Sequence, residues 1–598
     1  MRVFEPSREG SRMSSDEPTE ESPLLGRKGP SSLKNKSPTS SVVGQSSSGD
    51  LVNNILDSSG SVTDTIPSEN QRLNGDDSEF LERGAVLRIV LILLIGVKLA
   101  VFVFNADHSL VLATHPSIGS EFDALDWSSW LFTGFSLAGA ATQAVFGKLG
   151  DIYGRKPVIL WSYVGFAFGC LVVAVARSML AVILGRVLSG SVGAGMTVLV
   201  SILISDLVPI RESGTWRSYV NVAATTGRSL GGPLGGWLAD AVGWRWSFGC
   251  QVPMLAVATL LCWKNLPNNL AGRNSQNSSG NEEQPSTAGK LARVDFLGAF
   301  LLAMFILLLL LPLELGGKEL PWSHPLVPAL FAAAFLFLVL FVLVEKRWAK
   351  EPILDLDLFK QRDVVLCLLI IAFQSAAQLG MMFSVPLYFQ VTQKVSNSEA
   401  GAHLFPSVLG NALGGVFCGY FIKKTGKYKW MIYISTIMAS FCYVLLITRW
   451  HGKTNWLESF YILPGGFGMG MAYSVLFVAT QASADPDQVS AAVSTLFLSN
   501  SIGVIIGVAS TSATVKIVLQ RSLEGKLYRL GLDAATRRKI ISKAAANVEY
   551  TYKAKGEVGK AIVSSYVEGL LYGHGLSLIF VLVGFFLALA LKERRLHN

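Results

Sequence analysis

The apolar residues of this chain occur in runs of about 20, separated by polar stretches, from Leu87 onward. An α-helix of that length crosses a hydrocarbon core of roughly 30 Å. The first six runs predict helices at about Leu87–Asp107, Ser128–Phe146, Val158–Ala176, Leu180–Ser201, Tyr219–Val242 and Phe248–Trp263. Two more are predicted at about Phe296–Leu315 and Leu326–Val344, and the last six at about Val364–Val391, Ala400–Ile422, Trp430–Ile447, Phe460–Thr480, Val489–Thr511 and Gly575–Leu591. The pattern predicts an all-α polytopic membrane protein with 14 transmembrane helices, in a six, two and six arrangement.

The polar stretches divide the chain into five parts. Residues 1–82 are rich in Ser, Pro, Gly, Asn and acidic residues, so we expect a disordered cytosolic tail. We expect an N-terminal six-helix bundle over 83–263, a cytosolic linker over 264–294 and two extra helices over 295–345. The C-terminal six-helix bundle is expected over 346–598, with a long non-cytosolic connection at 512–573.

The distribution of charge predicts the orientation of the bundle. Charged residues make up 16% of the chain, against about 25% in soluble proteins. The segments on the side of the tail carry most cations of the short loops, among them Lys148, Arg155, Lys156, Arg211, Arg217, Lys346, Arg347, Lys423, Lys424, Lys592 and Arg594. Because cytosolic loops collect Lys and Arg, both termini are predicted to be cytosolic. No nucleic-acid partner follows from the net charge, and the six cysteines lack metal-type spacing, so no metal or other cofactor is predicted.

A tight glycine-rich loop joins the second and third predicted helices. It reads Gly147-Lys-Leu-Gly-Asp151-Ile-Tyr-Gly154-Arg155-Lys156. Its glycines allow helices to approach closely, and Asp151 and Arg155 are spaced to pair at the cytosolic boundary.

An arginine, Arg186, lies within the fourth predicted helix. A cation at that depth costs about 2.5–3.5 kcal/mol on insertion scales, so a partner is expected. Asp107 is the candidate, because both residues are predicted in the non-cytosolic half when depth is counted at about 1.5 Å per residue. A pair with a purely structural role remains the alternative.

The fifth predicted helix contains Gly231-Gly-Pro233-Leu-Gly-Gly236. Small residues four apart permit close helix contact, and a proline removes one backbone hydrogen bond and bends the helix. The segment predicts a hinge or a tight gate.

Two cations, Lys98 and Arg228, are predicted to approach the membrane midplane. Binding sites of secondary transporters lie at that depth. These cations therefore contact an anionic substrate group, pair with acidic residues, or extend to an interface. Further candidates for the substrate cavity are Gln374, Gln378, Asn411 and Tyr388, for which interhelical hydrogen bonding and core packing are the alternatives.

Several of these segments resemble the major facilitator superfamily. The loop Gly147–Lys156 looks like its signature loop, and Arg186-Val-Leu-Ser-Gly190-Ser-Val-Gly193 is similar to its arginine-containing fourth-helix segment. The run from Gly227 to Gly236 resembles the motif of the antiporter branch. Ser205-Asp206-Leu-Val-Pro209 resembles the turn after the fourth helix, although Ser213 stands where an arginine is usual. The six, two and six plan resembles the fourteen-helix drug:proton antiporter family, and Gly243-Trp-Arg-Trp-Ser-Phe248 its fungal vacuolar basic amino acid transporters.

The resemblance implies a proton-coupled antiporter that moves a small organic solute out of the cytosol. Asp107 and Arg186 would couple proton movement to the conformational change. Gating would involve Gly147, Asp151, Gly154, Arg155, Lys156, Asp206, Gly231, Pro233 and Gly236. Its partners would be protons, the lipid bilayer and a small-molecule substrate, first of all basic amino acids moved into the vacuole. A plasma-membrane multidrug or toxin efflux pump and a non-transporting nutrient sensor are the alternatives. No enzyme is predicted, because the predicted non-cytosolic loops lack metal spacing, a nucleophile elbow and a phosphate loop.

The tail contains one short sorting pattern. Glu20 stands four positions before the pair Leu24 and Leu25, as in acidic dileucine signals that sorting adaptors bind. In a disordered cytosolic segment an adaptor can reach it. We therefore expect a multi-pass protein of the vacuolar membrane, with the plasma membrane as the alternative.

Replacing Leu24 and Leu25 by Ala is expected to move a tagged protein from the vacuolar membrane to the cell surface, because the adaptor loses its two apolar contacts. Fluorescence microscopy of the tagged protein measures the shift. Surface fluorescence in the unmodified protein that both substitutions leave unaltered would support the plasma membrane instead.

Overall fold

The structure is a computed structural model in which every regular element of the described residues is a helix. It describes residues 96–596 apart from a long break at 267–294 and short breaks at 112–113, 116, 125–126, 129, 316–322, 349–351, 396, 547–549, 551–553, 555 and 595. The predicted tail, the start of the first helix, most of the linker and the sorting pattern at Glu20, Leu24 and Leu25 lie outside the described residues.

Six helical spans make up the N-terminal part. They are α1 over 96–111, α2 (Trp130–Tyr153), α3 (Arg155–Val175), α4 (Met179–Leu207), α5 (Ile210–Val242) and α6 (Trp244–Asn265). The last of these is interrupted at Cys250, between Trp244–Gly249 and Gln251–Asn265.

The remaining helices follow the same order as the predicted ones. They are α7 (Phe296–Leu315), α8 (Leu326–Arg347), α9 (Arg362–Gln393), α10 (Phe405–Thr425), α11 (Lys429–Arg449), α12 (Leu463–Ser483), α13 (Val489–Arg529), α14 (Ala534–Ala546) and α15 (Gly556–Ala590). An all-helical membrane protein was the prediction, and the structure confirms it.

Eleven helices of the described chain are long and apolar enough to cross a membrane. The helices outside that set include α1, α2 and α5, which pack among the others. Helix α5 is the least apolar of the three because Gly, Ser and Thr occupy much of its length. The total of fourteen spans therefore stays a prediction.

Helices α1 and α5 touch backbone to backbone through small residues. A Cβ atom added at Gly227 would meet the carbonyl oxygen of Phe102, and one at Gly231 would meet that of Ala106. A Cβ at Gly235 would meet the side chain of Leu110. The glycines therefore occur every fourth residue because the partner helix leaves no room for a side chain.

The C-terminal half repeats this contact between α9 and α13. A Cβ at Gly503 would meet the carbonyl oxygen of Ala372, and one at Gly507 would meet that of Ala376. The two helix pairs use the same four-residue spacing, so the two halves of the molecule share one way of packing their first and fifth helices.

The two extra helices, α7 and α8, pack across both halves. One apolar cluster contains Leu137 and Ala144 of α2, Ile306 of α7, Phe341 of α8 and Leu498 of α13. The extra pair therefore covers the line along which α2 and α13 meet.

Helices α13, α14 and α15 build a small projection beyond the membrane-spanning part. Leu519, Leu523 and Leu527 of α13 pack with Ala544 of α14 and Ile562 of α15. The predicted long connection at 512–573 is thus mostly helical. The two ends of this connection belong to α13 and α15. The outer turns of both helices are polar, so the sequence shows no apolar run there.

The glycine contact between α1 and α5 gives a test of the fold. Replacing Gly231 by Ala places a methyl group against the Ala106 carbonyl oxygen and the Ser109 hydroxyl, and overpacking of this kind costs about 1–3 kcal/mol. Gly232 is the matched control, because a Cβ there meets only the Ser109 carbonyl oxygen at 3.7 Å. We expect Gly231→Ala, and not Gly232→Ala, to lower the thermal midpoint of the detergent-solubilised protein. Equal midpoints for the two variants would refute the described packing.

Candidate functional site

An ion pair is buried among the N-terminal helices. The Arg186 guanidinium of α4 donates through Nη1 to Asp107 Oδ2 of α1 at 2.5 Å. The Asp107 and Arg186 side chains are 0% and 1% exposed. The Gln251 amide of α6 donates to Asp107 Oδ1 at 3.0 Å. The structure therefore brings the two predicted partners together, and both carboxylate oxygens accept a hydrogen bond.

Aromatic rings and one backbone group complete the surroundings of Arg186. Its guanidinium carbon lies 4.1 Å from the centre of the Phe135 ring and 5.7 Å from that of Phe248. Its Nε donates to the Leu131 carbonyl oxygen at 3.2 Å, whereas Nη2 has no hydrogen-bond partner among the described residues. Among the described residues, Asp107 therefore supplies the one carboxylate that pairs with Arg186.

The predicted loop pair also forms, within a three-residue cluster. Arg155 bonds Asp151 Oδ1 through Nη2 at 2.6 Å and Asp206 Oδ2 through Nε at 2.9 Å. Its Nη2 also lies 3.4 Å from the Ser490 hydroxyl, to which it donates, at the start of α13. Gly154 precedes α3 with a φ of 91°, a conformation that side-chain-bearing residues rarely adopt. Lys156 is half-buried beside it.

The two halves meet at the end of the bundle that holds this cluster. We call it the basic end, because Arg155, Lys423 and Arg594 lie there. Lys423 of α10 pairs with Glu212 of α5 at 2.9 Å. A Cβ added at Gly147 would lie 2.9 Å from the Ser494 Cβ. The loop glycine therefore serves as a contact surface for the other half.

A polar seam continues this contact into the bundle. The Ser218 hydroxyl of α5 donates to the Gly415 carbonyl oxygen at 2.5 Å and lies 2.8 Å from the Ser474 hydroxyl. Deeper along α5, the Asn221 amide donates to Asn411 Oδ1 at 2.7 Å. Asn411, one of the predicted cavity residues, therefore links the two halves.

The other cavity candidates are distributed over several places. Arg228 donates to Asn105 Oδ1 at 3.2 Å, and Lys98 lies over the Tyr219 ring at 5.0 Å. Both are half-buried on the contact between α1 and α5.

Gln374 and Gln378 bind within the C-terminal half. The Gln374 amide donates to the Ser435 hydroxyl at 3.4 Å, and the Gln378 amide donates to that of Ser407 at 2.9 Å. Both glutamines are buried and form hydrogen bonds between helices. Such bonds were the alternative to a place in the substrate cavity.

Tyr388 lies in an aromatic cluster away from the seam. Its ring stacks on Trp450 with centres 4.7 Å apart, and its hydroxyl accepts the Gly452 backbone N–H at 2.8 Å. The structure therefore gives Tyr388 a packing environment and separates it from the other candidates.

The glycine and proline residues of α5 occupy different positions. Gly231 faces α1, whereas Pro233 is exposed and Gly236 half-buried. The helix continues through Pro233 to Val242.

At the end remote from the basic end, Glu121 binds two residues of α6. Its carboxylate accepts the Trp244 indole N–H at 2.6 Å and pairs with Arg245 at 2.8 Å. These bonds hold the pKa of Glu121 below its ordinary value, and the hydrogen bond from Trp244 has the largest effect.

Comparison with known proteins identifies the family. The family model described as Major Facilitator Superfamily matches residues 98–354 and 327–508. The chain belongs to the Major Facilitator Superfamily.

Its relatives in this superfamily include transporters of two kinds. The vacuolar membrane amino acid uptake transporter fnx2 of Schizosaccharomyces pombe is 31% identical over 84% of this chain and 83% of its own length. The multidrug resistance protein fnx1 of the same yeast is 29% identical, over 83% of this chain and 91% of its own length. The vacuolar basic amino acid transporter 2 of Saccharomyces cerevisiae is 28% identical, over 75% of this chain and 94% of its own length.

A solved structure supports the fold. The human organic anion transporter MFSD10 is 16% identical and superposes with a TM-score of 0.51, over 84% of this chain and 99% of that one. The protein is therefore a Major Facilitator Superfamily membrane transporter and not an enzyme.

Two residues of the ion clusters were not predicted as site residues: Gln251 donates to Asp107, and Ser490 accepts from Arg155. Arg217 was predicted as a cation of a cytosolic loop, but it lies buried between the two halves because α5 already begins at Ile210. It borders a small cavity together with Tyr473 and Phe497.

The Arg155 cluster predicts how firmly the basic end is closed. Arg155→Gln removes the hydrogen bond to Ser490 of the other half, together with the two ion pairs that position the guanidinium, and we expect the closed arrangement to lose about 1–2 kcal/mol. The population open at that end should rise by about tenfold. The measurement is the labelling rate of Ser218→Cys, in a background without the six native cysteines, by an impermeant maleimide added from that side.

Lys360→Gln is the control for the Arg155 variant, because Lys360 forms an exposed pair with Asp357 at the same end. Its labelling rate should match that of the parent protein. An unchanged rate in Arg155→Gln would exclude the cluster as a closure element.

Proposed function

We propose that this protein is a proton-coupled antiporter that moves basic amino acids out of the cytosol into the vacuole. Two relatives support the substrate and the membrane, because their names assign them to vacuolar amino acid transport. The single observation that carries the coupling is the buried Asp107–Arg186 pair. In this proposal both termini are cytosolic and fourteen helices cross the membrane.

Coupling follows from the two protonation states of Asp107. When it is charged, Arg186 and Gln251 hold it and α1, α4 and α6 are tied together. When it is protonated, the Arg186 charge is left unneutralised in a buried site, which is costly. A conformation that gives Arg186 more water is then favoured, so a proton from the acidic side shifts the population toward it.

The Arg155 cluster acts as the closure element in this cycle. Asp151, Arg155 and Asp206 hold the ends of α2, α3 and α4 together, and Arg155 reaches Ser490 of the other half. Opening toward the cytosol must separate Arg155 from Ser490 and Asn221 from Asn411. The seam between the halves therefore alternates between contact and separation. In this cycle, α5 bends at Gly231 and Pro233.

The second candidate is efflux of drugs or toxins at the plasma membrane. The relative named multidrug resistance protein favours it, at an identity close to that of the amino acid transporters. Efflux would use the same Asp107–Arg186 pair and the same Arg155 cluster. The two candidate functions therefore differ in the substrate and in the membrane that holds the protein.

The test is ATP-driven uptake of radiolabelled lysine, arginine and histidine into vacuolar vesicles that contain or lack the protein. We expect protein-dependent accumulation that a protonophore abolishes. Absence of accumulation, with the protein present in the vesicles, would contradict the substrate assignment and favour efflux.

Asp107→Asn is expected to abolish pH-driven accumulation while preserving lysine exchange across vesicles without a pH gradient, because the amide keeps the shape but binds no proton. The exposed Asp240 of α5 supplies the control variant Asp240→Asn. Loss of exchange together with accumulation would assign the pair a structural role. Unchanged proton-driven flux would remove Asp107 from the mechanism.

A further inference from the structure

Arg217 is a buried cation that has no anionic partner in the described part of the chain. Its side chain is 5% exposed. Its Nη1 donates to the Ser201 hydroxyl at 3.3 Å, and its guanidinium lies 4.8 Å from the Phe497 ring centre and 5.9 Å from that of Phe477. No carboxylate pairs with it among the residues that the structure describes. Aromatic faces compensate a buried guanidinium only in part, so the site has capacity for an anion.

The space beside Arg217 is small in this arrangement. Its volume is about 10 Å³, close to the room that one water molecule needs, so it admits a single polar group next to the guanidinium and no whole solute. Tyr473, Phe497 and Asn500 line it together with Arg217. The Asn500 amide accepts the Ser375 hydroxyl through Oδ1 at 2.6 Å, which leaves its Nδ2 as a second donor at the cavity.

The other charges on this face are also positive. Arg228 lies about three turns further along the same helix. Lys98 lies over Tyr219, two residues from Arg217. A cluster of cations with no acid among them selects the anionic part of a ligand, and a guanidinium binds a carboxylate through two parallel hydrogen bonds.

We propose that Arg217 binds the carboxylate of the transported solute, with Asn500 as a second donor. The proposal rests on the proposed amino acid transport, and it assigns the carboxylate to Arg217 in place of Lys98 and Arg228. Phe497 is the ring nearest to the guanidinium, and the two halves must lie further apart than in this structure to admit the rest of the molecule.

The position of Arg217 links binding to the arrangement of the two halves. Ser201 and Arg217 belong to α4 and α5, whereas Phe477, Phe497 and Asn500 belong to α12 and α13. A carboxylate held between Arg217 and Asn500 touches both halves at once. Binding there therefore depends on how far apart the two halves lie.

The experiment compares each amino acid with its carboxamide, which keeps the size and loses the anionic group. Dissociation constants of the full-length purified protein are measured by thermal stabilisation for the pairs lysine and lysinamide, histidine and histidinamide, and leucine and leucinamide. The variants are Arg217→Gln, Arg217→Lys and, as the control arginine, the exposed Arg449→Gln. Size-exclusion profiles verify that each variant is folded.

We expect the parent protein to bind at least one amino acid about tenfold more tightly than its amide. Arg217→Gln should weaken the amino acid at least tenfold and leave the amide within about twofold, which a loss of folding would not do. Arg217→Lys should fall between, because lysine keeps the charge and loses the planar fork. Arg449→Gln should match the parent protein.

Two outcomes overturn the inference. One is equal weakening of acid and amide, or none, in Arg217→Gln. The other is that the parent protein binds no carboxylate of the panel. Carboxylate selectivity for leucine alone, lost in Arg217→Gln, would support the role of Arg217 and contradict basic amino acids as the substrate.

Discussion

The backbone contact between α1 and α5 determines where the charges of the N-terminal half lie. Gly231 admits the carbonyl oxygen of Ala106, the residue directly before Asp107. The contact fixes both the depth and the rotation of α1, and so directs the Asp107 carboxylate to Arg186 and Gln251. The close packing of these two helices thus determines which polar groups meet the Asp107 carboxylate.

The C-terminal half uses the same contact without the charge. Gly503 and Gly507 admit Ala372 and Ala376 as Gly227 and Gly231 admit Phe102 and Ala106. The residue that follows Ala376, and so stands where Asp107 stands in α1, is the buried Ala377. One half therefore carries a buried ion pair, and the related half is apolar at the corresponding place. The ion pair belongs to one bundle, and the seam is the contact that joins this bundle to the other.

The sequence predicts the features that follow from hydropathy, residue spacing and the cost of a buried charge. Apolar runs located the helices, the cost of a buried arginine paired Arg186 with Asp107, and the four-residue spacing paired Arg155 with Asp151. The positions of Gln251, Ser490 and Arg217 depended on helix rotation and on contacts between distant segments, which hydropathy does not record because lipid-facing and buried surfaces are both apolar. For the same reason, hydropathy does not separate residues that line a cavity from residues packed in an aromatic cluster, such as Tyr388. Helix ends were misjudged where α13 continues past Lys516 in a polar environment.

Helix α13 runs without interruption from Val489 to Arg529, 41 residues, and so measures about 60 Å. At one end its Ser490 meets Arg155, and at the other its Leu523 and Leu527 pack in the projection. A tilt of a few degrees at Ser490 would displace the other end of a rod of this length by several ångströms. Along α13, the projection is therefore the place where such a tilt would produce the largest displacement.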